Sequence, residues 1–140
     1  MKTVLVAYES RGGKTKQAAE AIADACRSKG HDVTVVALSE VGQPALDAAD
    51  VVFIGSWVEG FILFGVKPAR AARTWLESCS SMADKTVALF CTYAVNPHSS
   101  LATMRALAEA KGAKVVAQRA MSRRSPADGA QELVGAVPGL

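Results

Sequence analysis

Apolar and polar positions along the chain follow two periods. The runs Val4-Leu5-Val6-Ala7, Val51-Val52-Phe53-Ile54 and Val87-Ala88-Leu89-Phe90 are continuously apolar and of strand length, as strands covered on both faces must be. Between them lie amphipathic stretches of helical period, separated by Gly, Pro and Asn punctuation. The pattern predicts strands from Thr3 to Tyr8, Asp32 to Leu38, Val51 to Gly55, Thr86 to Thr92 and Lys114 to Gln118. The run after Asp32 carries a polar Thr34, and the last run soon meets Gln118 and Arg119. These two are expected at the edges of a sheet, and the three apolar runs in its middle.

Helices are predicted between the strands. From Lys14 to Lys29, Ala18, Ile22 and Cys26 recur at helical spacing and Gly30 supplies a stop. Pro68 has the chemistry of a first helical residue and is expected to open a helix from Ala69 to Cys79. Asn96 to Ser100 offer caps for a helix through Ala110. Ser125-Pro126-Ala127-Asp128 is expected to start a short final helix, and Pro44 to Ala48 can hold a helical turn. These β/α units, joined by right-handed crossovers, predict an α/β fold: a doubly wound, five-stranded parallel sheet in the order 2-1-3-4-5 with helices on both faces.

A chain of 140 residues, half of them hydrophobic, fits one domain over residues 1–140 with a real core. The segment after Met1 has too few apolar residues before Glu9 for a signal peptide, and no run approaches a membrane span. Cys26, Cys79 and Cys91 are odd in number, lack metal-ligand spacing and mostly sit in apolar patterns. Free thiols and a cytoplasmic location are the expectation. The net charge of +3 is scattered except in the region of Lys111, Lys114, Arg119, Arg123 and Arg124. With no aromatics interleaved there, that region reads as a solvated edge, with no nucleic acid as partner.

Ligands in such sheets bind beyond the carboxyl ends of the strands, and the loops expected there are unusual. After the first strand stands Ser10-Arg11-Gly12-Gly13-Lys14-Thr15. The glycines allow a tight turn with exposed N–H groups, Ser10, Thr15 and the following helix start add donors, and Arg11 and Lys14 add positive charge. This composition points to a bound phosphate. The loop after the third strand, from Gly55 to Gly65, is apolar and aromatic, with Trp57 near its start, and Tyr93 follows the fourth strand. Two such rings can flank a planar ligand or simply plug the core. Cys91 reads as a small buried residue, His98 as a helix-start residue and His31 as a surface turn. No catalytic side chain and no metal site are assigned.

Taken together, these residues resemble the short-chain flavodoxin family over nearly the whole chain. The family's phosphate loop, Ser/Thr-x-Thr-Gly-x-Thr, is matched at Ser10, Gly13 and Thr15, with Gly12 where the central Thr is expected. The resemblance implies FMN as cofactor, its phosphate held by Ser10, Arg11, Gly12, Gly13, Lys14 and Thr15. It implies an isoalloxazine between Ser56, Trp57 and Val58 on one side and Thr92, Tyr93 and Ala94 on the other. It implies electron transfer to a redox protein partner or a small-molecule acceptor, as a carrier or a small quinone-reductase-like enzyme. Unlike the acidic members of the family, this chain has only Glu59 in the second loop and no acid in Ala94-Val95-Asn96-Pro97-His98. Carboxylates near a reduced flavin oppose its negative charge, so their absence is expected to favour full reduction. The apolar Phe61 to Phe64 loop is a candidate docking surface, lid or homodimer contact.

Two other classes compete with this reading. Gly13-Lys14-Thr15 ends like the loop of a nucleotide hydrolase, but the first glycine that loop requires is replaced by Tyr8, still in the strand. A flavodoxin-like scaffold without flavin, serving as an interaction module, is the other alternative.

Overall fold

A computed structural model describes residues 1–59, 67–68, 70–78, 81–94 and 100–140. The Phe61 to Phe64 loop, Cys79 and the Asn96-Pro97-His98 segment lie outside the described residues. Five strands, β1 (Thr3–Glu9), β2 (Asp32–Ala37), β3 (Val51–Glu59), β5 (Thr86–Tyr93) and β6 (Lys114–Ser122), run parallel in the spatial order β2-β1-β3-β5-β6. Counted among the parallel strands alone, this is the expected order 2-1-3-4-5. The two-residue strand β4 (Lys67–Pro68) pairs antiparallel with the end of β3.

The apolar runs became central strands because each can bury both faces. Val4, Val6, Val51, Phe53, Ala88 and Phe90 pack on one side against α1 (Lys14–Ser28) and α5 (Ala130–Gly135). Leu5, Ala7, Val52, Ile54, Val87 and Leu89 pack on the other. There they meet α2 (Gln43–Ala48), α3 (Arg70–Ser78) and α4 (Ser100–Ala110) through Leu46, Leu76 and Met104. Ala18, Ile22 and Cys26 of α1 are completely buried, the stripe that the helical spacing predicts. Lys85 Nζ donates to the carbonyls of Asp47 and Ala49 at the end of α2, at 3.2 and 2.6 Å, where a cation satisfies free acceptors. His31 is more than a turn residue: its Nδ1 accepts the Lys2 N–H at 3.0 Å.

Several element boundaries differ from the sequence expectation. β3 continues past Gly55 to Glu59, so Ser56, Trp57 and Val58 belong to a strand rather than a loop. Pro68 lies in β4 opposite Val58 and does not open a helix; α3 starts at Arg70. A proline is tolerated at such an edge because it owes the ladder no hydrogen bond on its open side. The segment from Ser125 forms turns, closed by the Asp128 N–H to Ser125 carbonyl bond. The last helix starts only after Gly129, whose φ of 95° reverses the chain. β6 extends to Ser122 and carries one extra residue, Val116, between the pairs Val87–Val115 and Ala88–Ala117. Such a bulge inverts the alternation of side chains beyond it: Val115 faces the α4 side, whereas Ala117 and Met121 face α1 and α5.

Gly55 stands opposite Phe90 on β5, and an added Cβ would run into the Phe90 ring. That ring is fully buried, so it has no free space to retreat into. Gly55→Ala is therefore expected to destabilise the protein by about 1–3 kcal/mol, the usual cost of overpacking a core. Urea denaturation checks this, with the midpoint falling at an unchanged slope.

Candidate functional site

Three segments meet at the carboxyl edge of the sheet: the turn after β1, the end of β3 and the end of β5. In the first, Gly12 and Gly13 adopt consecutive φ values of 78° and 91°, a left-handed region that residues with a Cβ avoid. Both glycines face open space. Gly13 is the N-cap of α1 and brings no side chain to satisfy the helix start, and no acid occupies the first turn. Lys16 N–H alone turns back, to Ser10 Oγ at 3.3 Å. Arg11 and Lys14 are exposed beside these amides. Backbone amides, the positive end of a helix dipole and two cations belong to this one turn, a combination whose chemistry suits an anion.

Thr15 has a different task from its neighbours. Its side chain is fully buried, and its Oγ1 lies 2.7 Å from Oγ1 of Thr92, itself fully buried at the end of β5. The two hydroxyls satisfy each other across the sheet and hold the start of α1 against the third segment. A buried hydroxyl left without its partner is costly. Thr15→Val alone should lower stability by about 1–3 kcal/mol. The double variant Thr15→Val with Thr92→Val should recover most of the loss, giving a clear coupling energy in a double-mutant cycle.

Trp57 pairs in register with Thr92, on the α1 side of the sheet by strand alternation. The guanidinium of Arg11 lies over its ring, 5.4 Å from the centroid, a cation–π distance. Tyr93 leaves β5 on the other side and packs against the cluster of Val58 and Cys91. The two rings therefore do not face each other within the fold; a flat group continuing the sheet beyond its strand ends would have one ring on each side. Ser56 is buried and its hydroxyl donates to the Trp57 carbonyl at 2.7 Å. Ala94 is exposed at the bend that follows β5.

Arg123 joins this edge although its sequence context reads as a solvated basic stretch. Just beyond β6, its backbone N–H donates to the Tyr93 carbonyl at 2.9 Å. Its Nη2 donates to the Val58 carbonyl on β3 at 3.3 Å. The only signal that could have found it is position: it follows a parallel strand, as the other site segments do.

Sequence comparison decides between the ligand classes such an edge can serve. A profile of the flavodoxin domain matches residues 5–119. The chain belongs to the flavodoxin family. FMN is the cofactor of that family, and the amide cradle described above fits its phosphate. No curated protein matches the chain significantly. Among solved structures, a two-electron reduced flavodoxin from Megasphaera elsdenii is 22% identical, with 95% of this chain and 96% of that one aligned at a TM-score of 0.76. Oxidised flavodoxin 2 from Bacillus cereus is 20% identical over 96% of both chains, also at 0.76. A Fusobacterium nucleatum flavodoxin bound to FMN is 13% identical over 96% of this chain and 92% of that one, at 0.69. These likenesses concern the flavodoxin fold.

Cys91, on the edge of the site, is fully buried. Burial pushes its thiol up to about 12 and that of Cys26 up to about 11, the latter partly offset by Lys29 and Arg27. The unfolded chain would lose these protons from about pH 9, so the folded state loses relative stability as pH rises from there towards 12. Cys91→Ala should flatten that decline in denaturation curves recorded across the window.

Proposed function

We propose that this chain binds FMN at the carboxyl edge of its sheet and works as a redox protein, passing electrons to a protein partner or a small acceptor. The observation that carries the reading is the pair of left-handed glycines, Gly12 and Gly13, at the uncapped start of α1. In this reading the amides of the Ser10 to Thr15 turn hold the phosphate, with Arg11 and Lys14 balancing its charge. Thr15 serves indirectly, by fixing the turn to β5 through Thr92. The isoalloxazine takes the strand ends, against Ser56, Trp57 and Val58 and against Thr92, Tyr93 and Ala94. Arg11 then has two alternative anions or faces to serve, the Trp57 ring and the phosphate.

When bound, the flavin supplies reversible one- and two-electron chemistry. The chain's own residues bind it, orient it and set its electrostatic surroundings; none is required as acid or base.

The test is an FMN titration of the apo protein followed by flavin and tryptophan fluorescence, together with the absorption spectrum of the purified protein. Stoichiometric quenching is expected. Gly13→Ala should strain the turn by about 1–2 kcal/mol, and where the chain relieves this by giving up the left-handed φ, up to about tenfold of FMN affinity is lost. Absence of binding by the wild type would leave the flavin-free scaffold as the reading.

A further inference from the structure

We propose that Arg123 is the residue that stabilises the negative charge of the fully reduced flavin, raising the potential of the last reduction step. The inference rests on the FMN reading above and concerns a residue that its sequence context assigns to a solvated edge. Arg123 is held by both segments expected to flank the isoalloxazine: its N–H by the Tyr93 carbonyl and its Nη2 by the Val58 carbonyl. These anchors lie far apart in sequence but adjacent at the sheet edge, so the guanidinium spans the end of β5 instead of extending into solvent. It is partly shielded from water, which lets its charge act over a longer distance than a free surface arginine.

No described carboxylate neutralises this cation. The described ion pairs, Arg27–Asp24 and Arg105–Glu109, belong to α1 and α4. Arg11, over Trp57, adds a second positive group at the same edge, but it sits on the exposed phosphate turn. Arg123 is the one tied directly to the strand ends.

The charge balance defines what Arg123 does. From external one-electron donors the flavin accepts two electrons in succession and one proton, on N5; with N1 unprotonated it ends with one negative charge near N1. A fixed guanidinium at the strand ends favours that final anion over the preceding neutral form. Arg123 is a positioning and electrostatic residue here, and takes up neither electron nor proton.

The experiment is an anaerobic spectroscopic titration of the FMN-loaded protein with dithionite, against reference dyes of known potential. Wild type, Arg123→Gln, Arg123→Met and Arg123→Lys are compared; Met preserves the apolar stem should Gln fail to fold. The equilibrium constant of the second one-electron step should fall about tenfold in Gln and Met, a drop of about 59 mV. Lys, which keeps the charge but loses the forked donor, should stay near the wild type. An unchanged second potential in Gln and Met overturns the proposal while leaving FMN binding intact, and so does a Lys variant that falls as far as Gln. Failure of the wild type to take up FMN overturns both readings.

Discussion

The peptide groups of a parallel sheet can be kept from water only if helices cover both of its faces, and the architecture of this protein follows from that requirement. β1, β3 and β5 are continuously apolar because they have no solvent side, and the helices divide between the two faces, α1 and α5 on one, α2, α3 and α4 on the other. Because the five main strands run parallel, their carboxyl ends all lie at the same edge. The functional groups are gathered by this topology from residues distant in sequence. Thr15 meets Thr92, Arg11 meets Trp57, and Arg123 meets Val58.

That edge carries positive charge and a helix start whose N-cap residue has no side chain. Gly12 and Gly13 turn the backbone so that a helix start faces outward with no cap of its own. The cations near it come from two separate places, the turn after β1 and the end of β6. Two guanidinium groups, of Arg11 and Arg123, are tied to this edge among the described residues.

Much of the fold was legible in the sequence because dry strands leave no room for polar residues; Val51 to Ile54 and Val87 to Phe90 admit no other reading. The tight turn at Gly12 and Gly13 was legible for a similar reason, since two adjacent glycines before a helix suit the left-handed φ values found there. What escaped were features that depend on a neighbour. Ser56 to Glu59 looks like a loop until β5 and β4 are present to pair with it. Pro68 looks like a helix start because its place at an antiparallel edge is set by Val58. Arg123 looks solvated because charge patterns do not reveal which carbonyls lie across a strand end. The opposite departures of Trp57 and Tyr93 follow from the strand register, which composition alone does not fix.

The bulge at Val116 has an effect outside the domain's interior. β6 is the last strand of the parallel order, and its outer rim carries the extra residue with Val116 38% exposed. An evenly spaced rim of free amides and carbonyls is a template on which a foreign strand can grow, whereas a kinked rim breaks the hydrogen-bond spacing that such growth needs. The same inserted residue that turns Met121 towards α1 thereby interrupts the regular spacing of this flank.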